Sequence, residues 1–96
     1  MVCEEIVLRN PLGLHLRPAG ILCTEAIKYT STITIRYQGN EVNAKSVLGV
    51  LSTGLKHGNR FEVVCEGEDE EDALQCIKKL FEQGLGEQLE EKALES

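Results

Sequence analysis

His15 stands in the segment GLHLRPAG (residues 13–20), directly ahead of a stretch with the apolar spacing of a helix. Arg17 follows two positions later, and Pro18 falls in the first helical turn, where a missing backbone N–H removes no hydrogen bond. Histidine is the side chain that gains or loses a proton most readily near neutral pH, and its neutral ring is a nucleophile. The spacing therefore predicts a reactive imidazole at the start of a helix.

The start of a helix favours an anion and disfavours a protonated imidazole. Its first backbone N–H groups have no intrahelical acceptor, and the helix dipole acts there like roughly half a positive charge. We therefore expect a neutral His15 ring. The positive charge of Arg17, like the dipole, disfavours the protonated form. A phosphoryl group would bring negative oxygens to the amides of Leu16 and Arg17 and to the guanidinium. These residues predict a covalent phosphoryl acceptor at His15; the alternative is a histidine that only caps the helix or fills the loop.

A second candidate site is Ser46, which precedes VLGVLSTG (residues 47–54). A serine at this position caps a short helix by accepting a hydrogen bond from a backbone N–H, and capping alone would explain it. A helix this short has too few turns to bury every side. We therefore expect its apolar residues Val47, Leu48 and Leu51 to be exposed. Together with Leu16 they would form a docking surface for a partner protein. If these side chains are all core, that hypothesis weakens.

Composition and charge narrow the class of protein. The 96 residues are 42% hydrophobic, which suits one compact domain. The net charge is -6, yet residues 9–60 carry seven Lys or Arg against two Glu. An acidic chain argues against direct nucleic-acid binding, while its basic segment suits a small anion or an acidic partner. Neither a membrane-spanning run nor a signal-peptide pattern is present, so we expect a soluble, cytoplasmic monomer without membrane contact.

The four cysteines give no sign of a metal site. Cys3, Cys23, Cys65 and Cys76 form no CxxC pair, and no histidine lies at zinc-ligand spacing. We expect most of them to be reduced, buried small hydrophobes, with a Cys3–Cys65 disulfide between neighbouring strands as the alternative. No metal or cofactor is expected.

The order of elements is β-α-β-β-α-β-α, which indicates an open two-layer α/β sandwich with helices on one face of the sheet. Strands are predicted at 2–9, 32–37, 41–44 and 60–66, and helices at 16–29, at 47–54 and from the acidic run 68–72 to Gly84. His57 is expected to be exposed in a loop. Residues 1–86 form the predicted domain, and the Glu-rich residues 87–96 form a frayed or disordered tail to which we assign no chemistry.

The segments GLHLRPAG and NAKSVLGVLSTG (residues 43–54) resemble the two signature segments of the HPr family, the histidine-containing phosphocarriers of the bacterial sugar phosphotransferase system. The likeness spans residues 2 to about 86. It implies a four-stranded antiparallel sheet of order 1-4-2-3 and a stoichiometric carrier, not an enzyme. It also implies that Enzyme I passes a phosphoryl group to Nδ1 of His15, which donates it to sugar-specific enzyme IIA domains.

The second segment is closer to the HPr proteins in which the serine matching Ser46 is phosphorylated by an HPr kinase/phosphorylase than to enteric HPr. The resemblance thus implies regulation at Ser46 and a catabolite-control transcription factor as a further partner. Leu16 departs from the family, which usually has Ala or Thr there, and we expect altered partner preference with transfer retained. Two alternatives are a mainly regulatory corepressor, a class that lacks the acceptor histidine, and a nitrogen-type phosphotransferase component, which the NAKS segment disfavours.

Overall fold

The computed structural model describes residues 1–87, and residues 88–96 of the predicted tail lie outside the described residues. Within 1–87 the chain forms four strands and three helices. The strands are β1 (Val2–Val7), β2 (Thr32–Tyr37), β3 (Asn40–Asn43) and β4 (Arg60–Glu66). The helices are α1 (Leu16–Ala26), α2 (Val47–Leu51) and α3 (Glu70–Glu82). None of these helices has the length and apolar character that a membrane crossing requires.

The four strands form one antiparallel sheet in the order β1-β4-β2-β3, as the resemblance predicts. β4 lies between β1 and β2, so that Val2 pairs with Cys65 and Ile33 pairs with the same residue from the other side. β2 and β3 are joined by a tight hairpin whose two turn residues, Gln38 and Gly39, both have positive φ. The predicted open sandwich is confirmed.

One face of the sheet packs against the helices because apolar residues alternate along the strands. Ile6 and Leu8 point inward while Glu5 and Val7 point outward. The core combines inward residues of the strands with the buried stripes of α1 and α3: Ile33, Ile35, Phe61, Val63, Ala19, Leu22, Ala73, Ile77 and Phe81. The rings of Phe61 and Phe81 meet edge to face with centroids 5.0 Å apart.

Four predicted elements are too long. The first strand ends at Val7 because Leu8 bonds with the loop residues Asn59 and Gly58 instead of extending the strand pairing. The first helix ends at Ala26, three residues short of the predicted Tyr29. There the Lys28 and Tyr29 amides bond three residues back, which tightens the chain into a turn before β2. The second helix ends at Leu51 and not at residue 54, and the third spans Glu70–Glu82, inside its predicted bounds.

The cysteine prediction is only partly right. All four cysteines are free: Cys23 and Cys65 are buried, Cys76 is half-buried and Cys3 is exposed. Burial raises the pKa of the Cys65 thiol to about 11. The alternative disulfide fails because Cys3 is opposite Val64 in the sheet register, so that it points to the open face while Cys65 points into the core.

Candidate functional site

The loop before α1 is held in place by backbone bonds that fix the position of His15. The Gly13 amide donates to the Asn10 carbonyl at 3.0 Å, and the Leu14 amide donates to the Leu55 carbonyl at 3.0 Å. Gly13 has φ +81°, and a Cβ there would lie 2.8 Å from the Leu55 oxygen. Glycine is therefore required at this turn, which buries Leu14 and turns the next residue, His15, toward the surface.

His15 is the N-cap of α1, and its carbonyl accepts the first helical hydrogen bond from the Ala19 amide at 3.0 Å. Its side chain makes no capping bond, so capping does not explain the imidazole. The amides of Leu16 and Arg17 occupy the first two helical positions, where no intrahelical acceptor exists, and Pro18 has no N–H to offer. The half-exposed imidazole thus belongs to the residue directly ahead of two amides without an intrahelical acceptor.

Arg17 is exposed in the first turn of α1 and forms none of the ion pairs found within residues 1–87. Its guanidinium is available to an incoming anion. Leu16 is also exposed, at 66% of its surface, so the large side chain next to the histidine faces solvent and does not close over the core. The other histidine, His57, is exposed in the loop between α2 and β4, as predicted.

A carboxylate that the sequence did not suggest lies against the imidazole. Glu87 Oε2 is 2.8 Å from His15 Nε2, and Glu87 Oε1 accepts a hydrogen bond from Asn10 Nδ2 at 2.7 Å. Asn10 is fully buried and also donates to the Gly84 carbonyl at 2.8 Å. The first residue of the predicted tail, to which the sequence assigned no chemistry, therefore contacts the candidate nucleophile.

The turn after α3 carries Glu87 to this position. Gly84, Leu85 and Gly86 all have positive φ, and they reverse the chain after the helix ends at Glu82. Leu85 is buried in the core. A Cβ on Gly86 would lie 2.8 Å from the Ile21 side chain, so this turn is packed against α1.

Ser46 caps α2 as predicted: its Oγ accepts a hydrogen bond from the Gly49 amide at 3.1 Å. Leu48 is 80% exposed, whereas Val47 and Leu51 are half-buried and packed against the core. The four predicted docking residues are therefore not equally available. Val47 joins side chains of α1 in lining an open groove of about 500 Å³, which also includes Leu16, Arg17, Gly20 and Ile21.

No group of three or more His, Cys, Asp or Glu residues arranged for a metal ion occurs in the part of the chain that the structure describes. At His15 the structure shows a half-exposed ring at the start of a helix, with a carboxylate against its Nε2. Such a site can take a phosphoryl group on its free ring nitrogen.

Known proteins are similar to this chain in both sequence and fold. Residues 2–83 match the sequence profile of the PTS HPr component phosphorylation site. The phosphocarrier protein HPr of Lysinibacillus sphaericus is 38% identical over 88 residues, which cover 91% of this chain and 100% of the relative. Among solved structures, HPr-C-His from Thermoanaerobacter tengcongensis superimposes with a TM-score of 0.88 at 38% identity, covering 93% of this chain and 100% of that one.

The Bacillus subtilis catabolite repression protein Crh, crystallised as a domain-swapped dimer, is also similar, with a TM-score of 0.71, 32% identity and coverage of 88% of this chain and 97% of that one. The sequence profile, the curated relative and the strand order agree with the resemblance seen in the two signature segments. This chain belongs to the HPr family of phosphocarrier proteins of the phosphotransferase system.

Proposed function

We propose that this chain is a cytoplasmic, monomeric phosphoryl carrier that accepts a phosphoryl group on His15 Nδ1 from Enzyme I and passes it to sugar-specific enzyme IIA domains. The observation that carries this proposal is the half-exposed imidazole at the start of α1, next to two free backbone amides and an exposed guanidinium. The chain acts stoichiometrically and is regenerated at each transfer, so it is a substrate of its partners and not an enzyme.

The roles of the site residues follow from charge and position. The Leu16 and Arg17 amides and the Arg17 guanidinium donate to the phosphoryl oxygens. Such charge-assisted hydrogen bonds contribute about 1.5–3 kcal/mol each, enough to hold the group without preventing its onward transfer. Leu16 and Leu48 present apolar surface to the partner, and Val47 and Leu51 support that surface from the core side.

The direct test is incubation of the full chain with Enzyme I and phosphoenolpyruvate, followed by intact mass measurement and acid treatment. We expect one added phosphate that is lost in acid. His15→Ala should abolish the signal, whereas the matched control His57→Ala should keep it because His57 lies in a different exposed loop. An unphosphorylated wild-type chain would contradict the carrier function and would favour the regulator that the likeness to Crh suggests.

We further propose that Ser46 is a regulatory phosphorylation site for an HPr kinase/phosphorylase, and that the phosphorylated form binds a catabolite-control transcription factor. Ser46 is half-buried at the start of α2, and Val47 beside it lines the same groove as Arg17. A phosphoserine there brings about -1.5 to -2 charges to a helix N-terminus, where the dipole favours negative charge, so α2 should persist. The test is intact mass after incubation with that kinase and ATP, with Ser46→Ala as control; no added phosphate would contradict it.

A further inference from the structure

The two nitrogens of the His15 ring have different surroundings. Nε2 lies 2.8 Å from a Glu87 oxygen. Within residues 1–87 the ring makes no other hydrogen bond or ion pair. The ring is 39% exposed and the Glu87 side chain 17% exposed, so the contact is partly shielded from water. Nδ1 is therefore the nitrogen left for an incoming group.

The carboxylate is itself held in place by a buried group. Asn10 is 0% exposed and its Nδ2 donates both to Glu87 Oε1 and to the Gly84 carbonyl. One amide thus fixes the carboxylate and the turn that carries it. The result is a chain of contacts from buried Asn10 through Glu87 to the ring of His15.

A carboxylate accepts hydrogen bonds and does not donate them, so the contact is favourable only when Nε2 carries the hydrogen. A neutral ring with hydrogen on Nε2 has its lone pair on Nδ1. The carboxylate therefore selects the tautomer whose nucleophilic nitrogen is Nδ1, and it orients the ring, as second partners of histidine do in other sites.

We propose that Glu87, held by Asn10, is a positioning residue that keeps His15 in the Nε2–H tautomer and stabilises the positive charge of the ring in the phosphorylated state. This inference rests on the proposed carrier function and deepens it. It assigns a role to a residue in the segment that the sequence presented as an undistinguished acidic tail.

The step balances without any movement of the ring proton. The Nδ1 lone pair attacks the phosphorus of a phosphorylated donor protein, the Nδ1–P bond forms, and the bond from phosphorus to the donor breaks with its electron pair returning to the donor. The ring, still carrying hydrogen on Nε2, is now positively charged beside the Glu87 carboxylate. Onward transfer reverses these changes and restores the neutral ring.

The first test reads the tautomer directly in unphosphorylated protein. Full-length chain labelled with ¹⁵N in histidine is compared as wild type, Glu87→Ala, Glu87→Gln and the matched control Glu68→Gln, which lies in an exposed loop at the other end of α3. At a pH where the ring is neutral, we expect wild type and the control to show hydrogen on His15 Nε2 alone. Both Glu87 variants should show a mixture of tautomers.

His57 is an internal reference, because it is exposed and should give the same signals in all four proteins. Glu87→Gln keeps an oxygen that can accept a hydrogen bond from Asn10, so the turn should stay in place. It therefore shows whether an effect of Glu87→Ala comes from loss of the carboxylate or from loss of the turn. The same Nε2–H signature in Glu87→Ala and wild type, both folded, would overturn the proposal. This readout needs no phosphoryl donor, so it is independent of the carrier function.

The second test is the rate of phosphorylation by Enzyme I and phosphoenolpyruvate. We expect Glu87→Ala and Glu87→Gln to be slower by roughly tenfold, as one charge-assisted hydrogen bond at a half-exposed site is lost. Glu68→Gln should match wild type. Equal phosphorylation rates in all four proteins would contradict a role of Glu87 in phosphoryl transfer. An unphosphorylated wild type would instead contradict the proposed carrier function itself.

Discussion

At His15 the contacts of the side chain distinguish a reactive ring from a structural one. A structural histidine at an N-cap would bond the backbone of its own helix, but this imidazole instead contacts a carboxylate from the other end of the chain. The neighbouring side chain of Arg17 is exposed and makes no ion pair within residues 1–87. Both observations fit the proposed role of these side chains in binding a phosphoryl group.

The role of Arg17 can be tested by Arg17→Ala. The variant should receive the phosphoryl group from Enzyme I more slowly by roughly ten- to a hundredfold, since a charge-assisted hydrogen bond of about 1.5–3 kcal/mol is lost. Its urea unfolding midpoint should stay at the wild-type value because the side chain is exposed. Unchanged transfer kinetics would refute the phosphate contact.

The sequence identified His15, Arg17 and Ser46 because each depends on local rules: helix start, charge and capping. Glu87 and Asn10 were missed because their roles depend on a tertiary turn. Asn10 reads as an ordinary Asn-Pro loop residue, and Glu87 is one of several glutamates near the end of the chain. The only sequence signal was the pair Gly84 and Gly86, which marks a reversal after α3 without showing where the reversed chain lies.

At the scale of elements, the loop between β1 and α1 fixes the histidine through close backbone packing. Gly13 combines a positive φ with a close approach to the Leu55 carbonyl, and the Leu14 amide bonds that carbonyl. The periodicity of the sequence predicted every strand and helix of residues 1–87, with errors at the ends. The first helix ends early because its last turn tightens, and no apolar pattern encodes such a change.

Gly13→Ala should therefore destabilise the fold by about 1–3 kcal/mol, from strained φ and from the contact with Leu55. Urea unfolding monitored by circular dichroism measures the effect. Gly20→Ala is the matched control, because a Cβ there meets nothing within 4 Å and alanine is the better helix former. It should leave stability unchanged or raise it by about 0.5–1 kcal/mol. Equal midpoints for Gly13→Ala and wild type would contradict the packing argument.

For the whole molecule, the proposed docking surface combines α1 and α2. One groove is lined by both Arg17 and Val47, so under this proposal charge placed at the start of α2 reaches a partner that contacts His15. The exposed Leu16 and Leu48 give this surface its apolar character. The proposed regulation at Ser46 would therefore act on docking without a change of fold.

Ser46→Asp mimics that charge. We expect it to reduce the rate of phosphorylation by Enzyme I roughly three- to thirtyfold, because charge at an interface rim changes the rate of association. The loss should shrink as salt is raised, since exposed charges are screened. Ser46→Asn, a comparable cap without charge, is the control and should transfer at the wild-type rate. Identical rates for wild type and Ser46→Asp would argue against this docking surface.

Asp69 bonds the start of α3 to the turn before β2, and its carboxylate makes the free energy of unfolding depend on pH at low pH. The Ser31 hydroxyl, followed by the Thr30 and Ser31 amides, donates to this carboxylate and lowers its pKa from 3.8 to about 2. A lowered folded-state pKa gives stability that is present above the unfolded pKa and is lost as pH falls toward 2.

Between about pH 4 and pH 2, the free energy of unfolding should therefore fall more steeply in wild type than in Asp69→Asn, which has no titrating group at this position. Urea unfolding at a series of pH values measures the two slopes. Glu68→Gln, next to it in an exposed loop, should keep the wild-type slope. Parallel curves for wild type and Asp69→Asn would show that Asp69 does not supply this pH dependence.

The place of β4 between β1 and β2 has a consequence for synthesis on the ribosome. The first strand to leave the exit tunnel pairs with residues 60–66, and the loop behind it is anchored by Leu55. A nascent chain that already carries His15 thus lacks the central strand of its sheet until residues 60–66 have been translated. The histidine is made early, but its surroundings are assembled late.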